Sequence, residues 1–294
     1  MLAFRRIGPS RLPKTSQCLK KIGVFPIRYH YYEPLFNDQH LLQPLGVDRT
    51  LPGLDLNTNN QLIFLSQLVY ADELIALKLT KPAKSDFEFS FNNGSFESGD
   101  AEFLYQFIRK NKPNKIIEIG CGSSTKIAQL AIEKNKMESG KGTQHICVEP
   151  YEQPWLKELP GIRLIRERIE KLSFDWSTEL VDGDLLFVDS SHMIRPQGDV
   201  LTEYLQIFPQ LSKGVHIHIH DIFTPKDYLK SWIIDEVKFW NEQYLLEALL
   251  SNTNRYQVVA ALNYLKHHHY DQLLKVCPYL TIHREPGSFY FKVT

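Results

Sequence analysis

The sequence of 294 residues is short of several things, and each shortage removes a class of protein. There are only four cysteines, Cys18, Cys121, Cys147 and Cys277, with no C-x-x-C pair and no framework spacing. That argues against a disulfide scaffold or a zinc ribbon and suits a reducing compartment, so the expected location is the cytoplasm, with the thiols packed as small hydrophobes. Net charge is missing too: 34 basic residues face 34 acidic ones, which gives the whole molecule no built-in attraction to nucleic acid. No apolar run approaches the length of a membrane span, so no transmembrane segment is expected. Neither an internal repeat nor a low-complexity segment is present. Acids are absent from the first 32 residues, which hold Arg5, Arg6, Arg11, Lys14, Lys20, Lys21 and Arg28. Such a run suits a solvated, flexible basic arm, a transit peptide or an arm for anionic lipid or nucleic acid; no apolar segment follows that would make it a secretory signal.

What remains is an ordinary globular composition, 43% hydrophobic and 23% charged, in a chain long enough for one large core with an extension. Three parts are expected: a basic arm over 1–21, an extension or lid over 22–95, and a main domain over 96–294. The extension begins with the aromatic, proline-rich stretch Phe25-Pro26-Ile27-Arg28-Tyr29-His30-Tyr31-Tyr32, which cannot be a regular helix. A helix is predicted over 57–79 and another over 101–111, the latter capped by Ser98 or Asp100.

From residue 115 the pattern alternates between short apolar runs and amphipathic segments, as βαβ units do. Strands are predicted at 115–120, 144–149, 163–169, 185–190, 215–221, 257–262 and 288–293. Helices are predicted at 125–134, 199–208, 231–239 and 242–250. The fold class is therefore α/β, a doubly wound Rossmann-like sheet, in which ligands bind at the carboxyl ends of the strands.

The residues at those ends carry the chemistry. The organising stretch is Lys115-Ile116-Ile117-Glu118-Ile119-Gly120-Cys121-Gly122-Ser123-Ser124-Thr125: a buried strand, a glycine turn and the start of a helix. Exposed N–H groups at such a turn favour a polar or anionic ligand, and glycine lets it approach the backbone closely. Glu118 is a costly acid inside an apolar strand and needs a cation or donors beside it. Glu149 ends the second strand, where a carboxylate can accept from both hydroxyls of a ribose. Glu170 follows the third, as either an adenine contact or a solvated loop acid. Asp189-Ser190-Ser191-His192 ends the fourth, and His216-Ile217-His218-Ile219-His220-Asp221 forms the fifth. Strand alternation puts His216, His218 and His220 on one face, and only His220 reaches the functional edge; the other two read as structural.

The string E-I-G-C-G-S-S-T, with Glu149 after it, resembles motif I and the ribose-binding acid of class I S-adenosylmethionine (SAM)-dependent methyltransferases. The nicotinamide fingerprint is a poorer fit, since Thr125 stands where its third glycine belongs. The resemblance implies a seven-stranded sheet whose last strand runs antiparallel. It also implies SAM as cofactor, bound through Glu118, Gly120, Cys121, Gly122, Ser123, Ser124, Glu149, Glu170 and Asp189. A narrower resemblance links Asp189-x-x-His192 and His220-Asp221 to the divalent-cation-dependent O-methyltransferases of the catechol and macrocin types. That resemblance implies His192 as the catalytic base and Asp189, His220 and Asp221 as ligands for Mg²⁺ or another divalent cation. His220 departs from the family, which usually carries Asp there, and a nitrogen ligand suits a softer ion such as Mn²⁺ or Fe²⁺. The expected activity is methyl transfer to a hydroxyl of a small polyhydroxylated or sugar-containing acceptor, with no nucleic-acid partner. Two alternatives stand beside it: a nicotinamide-dependent oxidoreductase on a related sheet, and a non-catalytic SAM-binding protein.

Overall fold

The computed structural model describes every residue from Met1 to Thr294 except the side chain of Leu2. The chain divides into two compact units, Met1–Val47 with Tyr228–Phe239, and Asp48–Asp227 with Trp240–Thr294. The smaller unit carries two short helices, Leu2–Ile7 and the basic Pro13–Lys21, and its Phe4 and Phe25 rings meet edge to face at 5.8 Å. Among the described residues, no helix is long and apolar enough to cross a membrane.

The larger unit is built on a seven-stranded sheet. Its strands are β1 Lys115–Ile119, β2 Gln144–Val148, β3 Ile162–Ile165, β4 Leu185–Val188, β5 His216–Ile219, β6 Tyr256–Ala261 and β7 Phe289–Val293. They lie in the order β3-β2-β1-β4-β5-β7-β6. The first five pair in parallel, and β7 runs antiparallel between β5 and β6. All seven expected strands are present and the doubly wound class holds, with the order reversing at β1 between β2 and β4.

Both faces of this sheet are covered, and side-chain alternation sorts the strands into two cores. Ile116, Leu185, Phe187 and Tyr290 point into one, and Ile117, Ile119, Leu186, Val188, Ile217 and Phe289 into the other. The first core is closed by helices Asp100–Asn111 and Ser123–Ser139, whose Phe103, Phe107, Ile108, Ile127 and Ala131 are fully buried.

Residues 48–95 fall with the sheet rather than apart from it. Leu65, Leu68, Leu74, Leu79, Phe89, Phe91 and Phe96 all join the first core. The long helix predicted over 57–79 is two helices, Thr58–Ser66 and Ala71–Leu77, because the backbone N–H of Tyr70 leaves the helical ladder to bond the buried Gln106 side chain. At 231–239 a single wide turn, Ser231–Asp235, replaces the predicted helix. Over 199–208, a helical turn at Asp199–Thr202 widens into a π-helical segment, Glu203–Ile207, just before Pro209.

Arg109 ties these layers together. Its guanidinium is 1% exposed, donates to both carboxylate oxygens of Glu73 at 2.8 and 2.9 Å, and also reaches Asn135 and Glu138. One side chain thus joins helix Ala71–Leu77 to the two helices on the sheet. Replacing it leaves Asn135, itself 2% exposed, with an unpaired oxygen. Arg109→Ala is expected to lower unfolding free energy by about 1–3 kcal/mol, the range for a buried polar group left without its partner. Urea denaturation of both proteins measures it, and a loss below about 1 kcal/mol would remove Arg109 from that role.

Candidate active site

The cleft opens at the carboxyl ends of β1, β2 and β4, where the strand order reverses. It has a volume of about 590 Å³, and among its lining residues are Gly120, Glu149, Glu170, Asp189, Ser191 and Asp199. Four residues marked in the sequence at four different strand ends therefore share one wall.

Gly120 makes this wall possible. Its φ is +80°, and a Cβ placed on it would lie 1.8 Å from the carbonyl oxygen of Asp189. The sequence predicts that a side chain here would collide with a ligand; the structure shows that it would collide with the neighbouring strand end first. Gly122 is different. Its φ of −169° is extended backbone, and a Cβ there would meet nothing within 4 Å. The turn is held by the Gly122 N–H donating to Thr125 Oγ1 at 3.2 Å.

The carboxylate of Glu149 is held by three backbone donors. Oε2 accepts from the Cys121 N–H at 3.2 Å, and Oε1 accepts from those of Tyr151 and Glu152 at 2.8 Å each. It is 6% exposed, fixed in position, and faces the cleft.

Glu118 does not line the cleft. It is completely buried, and its oxygens accept from Ser124 Oγ at 2.6 Å and from His145 Nε2 at 2.9 Å. The donors anticipated for a buried acid are thus supplied by the protein itself, including one, His145, that the sequence did not mark. Glu118 and Ser124 brace the glycine turn from behind, in place of the direct ligand contact expected for each. Cys121, 6% exposed, turns its thiol inward to the carbonyls of Glu118 and Val148. Ser123 faces a separate surface hollow beside Lys126.

Next to Asp189 lies a charged cluster. Nε2 of His192 is 3.2 Å from Asp189 and 3.5 Å from Asp221, while its Nδ1 is 2.9 Å from Glu242, a residue with no exposed surface. The imidazole also lies against the Trp240 ring, 4.3 Å between centroids. Nδ1 of His220 is 3.5 Å from both Asp189 and Asp221, and its Nε2 is 3.7 Å from Asp100. One ligand atom each from Asp189, His220 and Asp221 lies within 4.8 Å of the others. The expected base and the expected metal ligands are therefore brought together. His216 and His218 stay outside the cluster: His218 is sandwiched between Phe187 and Tyr290 at 4.1 and 4.0 Å, and its Nε2 meets Ser288 Oγ.

Electrostatics follows from this crowding. Burial pulls both His192 and His220 toward neutrality, but the surrounding carboxylates outweigh it and raise both well above the ordinary imidazole value. Burial likewise pushes Asp189 up, yet the charges of His220 and His192 hold it below the usual carboxylate range. Asp221, with burial dominant, is raised.

Two members of the cluster escaped sequence reading. Asp100 looked like a helix cap, but Gly99 is the cap residue, with Glu102 accepting from its N–H, and Asp100 instead accepts from the Ser288 N–H and faces His220. Glu242 opens helix Glu242–Leu250, where an acid reads as favourable end charge, and only the tertiary fold sends it inward.

Residues 117–222 match the family model described as a methyltransferase domain. These residues include every one that lines the cleft, so the chain is similar to methyltransferase domains where the cleft lies. An uncharacterized protein of Archaeoglobus fulgidus is 29% identical over 190 residues, covering 62% of this chain and 79% of that one. Among solved structures, a cmcI complex with magnesium and SAM is 13% identical, covers 73% of this chain and 82% of its own, and gives a TM-score of 0.40. The TDP-rhamnose 3'-O-methyltransferase CalS11 is also 13% identical, with 80% and 93% covered and a TM-score of 0.38.

The contrast between the two glycines is testable without ligand. Gly120→Ala is expected to lose at least about 1–3 kcal/mol, the cost of a disfavoured backbone region, with the clash against Asp189 added. Gly122→Ala should lose less than about 1 kcal/mol. Equal unfolding curves for the two variants in urea would contradict the packing described here.

Proposed function

We propose that this protein methylates a hydroxyl oxygen of a small, polyhydroxylated or sugar-containing acceptor, with His192 as general base. The observation that carries the reading is the orientation of His192. Glu242 holds Nδ1, so Nε2 is turned toward Asp189, which also lines the cleft containing Glu149. A base whose Nδ1 is held by a buried carboxylate, beside a residue that lines a ligand cleft, suits removal of an acceptor proton.

Glu149 fits the ribose of SAM. Three backbone donors fix its carboxylate, two on Oε1 and one on Oε2, which leaves one lone-pair site on Oε2 for a ribose hydroxyl. Glu170 lines the same cleft, which supports a contact to the adenine. SAM supplies the electrophilic methyl group. The protein's part is to hold the acceptor oxygen in line with that methyl carbon and to take the hydroxyl proton on His192 Nε2. The imidazolium then formed is stabilised by Glu242 and Asp189.

Asp189, His220 and Asp221 fit a divalent cation. Two carboxylates and an imidazole converge there, a donor set that suits Mn²⁺ or Fe²⁺ as well as Mg²⁺. A cation held there would lower the acceptor hydroxyl's pKa and orient its oxygen. Without it, the two imidazoles serve as counter-charges to the carboxylates.

Glu149→Ala is expected to weaken SAM binding by about 1.5–3 kcal/mol, the range for hydrogen bonds to a charged group. Unchanged affinity by calorimetry would take Glu149 out of the cofactor site.

The cation reading makes a prediction about chelation and pH. EDTA and Asp221→Ala should each abolish transfer to a hydroxyl acceptor and leave SAM affinity nearly intact, whereas His192→Ala should cost about 10²–10⁴-fold in rate. Because the carboxylates raise His192, the rate should climb with pH as its proton is lost. Engaging Asp189 and Asp221 with a cation withdraws the negative charge that raises it, so added Mn²⁺ or Mg²⁺ should move that climb to lower pH. Full activity in EDTA and in Asp221→Ala would leave His192 as the base and sink the cation. Failure to methylate any member of a hydroxyl-acceptor panel, with SAM bound, would favour a non-catalytic SAM-binding protein.

A further inference from the structure

Behind the glycine turn, on the side away from the cleft wall, lies a second cluster that methyl transfer does not use. Cys147 sits opposite Glu118 in the register of β1 and β2, and Cys121 follows three residues after Glu118, bent back by the turn. The two thiol sulfurs and a Glu118 carboxylate oxygen lie within 4.8 Å of one another. All three residues are buried, at 6%, 0% and 0% exposure. Leu156 and Leu159, with Trp155, Ile162 and Leu164, close the space around the thiols.

Thiols that merely fill a core look different, and the chain offers one for comparison. Cys277 is also fully buried, but it sits among apolar residues with a single contact, to the Gly99 carbonyl at 3.5 Å. Cys121 and Cys147 are instead paired across strands, far apart in sequence, against a carboxylate that is itself hidden from water. His145 Nε2 donates to that same carboxylate at 2.9 Å, and Gln129 holds the other ring nitrogen at 2.7 Å. This is the outer support that orients a ligating carboxylate in metal sites.

We propose that Cys121, Cys147 and Glu118 form a site for a thiophilic divalent cation of the Zn²⁺ type, separate from the Asp189 cluster. In tetrahedral zinc sites the metal lies about 2.3 Å from sulfur and about 2.0–2.2 Å from oxygen, so the ligands stand roughly 3.5–3.8 Å apart. The atoms here need to close by about an ångström or less to reach that spacing. Binding is not a redox step: both thiols are deprotonated, two metal–sulfur bonds form and the protons pass to solvent. The mixed sulfur and oxygen donors select a softer ion than Mg²⁺, so the two clusters sort metals by chemistry. Occupation would also fix Cys121, whose N–H holds Glu149. That coupling to the donor site rests on the reading of Glu149 given above; metal binding itself does not.

The test uses full-length reduced protein carrying Cys18→Ser, which removes the exposed thiol, and Cd²⁺ as the probe. Cadmium bound to thiolate gives an ultraviolet charge-transfer band that carboxylate and imidazole ligands do not, so the Asp189 cluster cannot imitate it. The expected result is one band-producing Cd²⁺ per chain, displaced by Zn²⁺. Cys147→Ser and Cys121→Ser should each weaken it at least tenfold while circular dichroism confirms the fold. Absence of the band in the folded parent overturns the proposal whatever the variants do, and so does a band that survives Cys147→Ser unchanged.

Discussion

The close approach of the β1 and β4 strand ends is the constraint on which the rest of the site depends. The Asp189 N–H donates to the Ile119 carbonyl at 2.8 Å, and the Gly120 N–H donates to that of Val148 at 2.9 Å. The chain at Gly120 is thereby wedged between β2 and β4, with no room for a Cβ. That wedge sets the distance between Glu149 on one side and Asp189 on the other. A wider turn would separate Glu149 from the charged cluster around Asp189.

The second constraint is electrical. Asp100, Asp189, Asp221 and Glu242 surround His192 and His220 where water is largely excluded, so each imidazole depends on carboxylates drawn from several elements. This interdependence ties remote parts of the chain to the cleft. Asp100 comes from the start of a helix, Glu242 from another, and Ser288 beside β7 fixes Asp100 in turn. The sheet supplies the edge, but helices on both sides supply the counter-charges.

Most of the architecture was legible in the sequence because it rests on local signals. Seven apolar runs gave seven strands, and the glycine turn marked the switch point. Legibility failed where a long-range contact decided a local outcome. Gln106 draws the Tyr70 N–H away and splits a helix that periodicity alone made continuous. Glu118 looked like a ligand residue because a buried acid needs partners, and nothing local in the sequence pointed to His145, 27 residues on, as one of them. Glu242 and Asp100 were hidden for the opposite reason, since acids at helix starts have an ordinary explanation that masks a functional one. The leucines and phenylalanines of 48–95 are spaced too irregularly to reveal that they complete the core of the sheet.

Backbone strain falls on two residues of the charged cluster. His192 and Asp221 have φ of +57° and +60°, a region that residues other than glycine enter at a cost of about 1–3 kcal/mol each. Gly120 enters it with no such penalty. A glycine at either of the other positions would relieve the strain but remove the imidazole or the carboxylate. The fold instead holds both in place from outside: the His192 carbonyl accepts from Asn241 and Glu242, and the Ile222 N–H after Asp221 donates to Gly287. The same backbone bonds that hold the strained conformations also fix where the two side chains point. The imidazole and carboxylate are therefore set before any ligand arrives, and little of the ligand's binding energy has to be spent on arranging them.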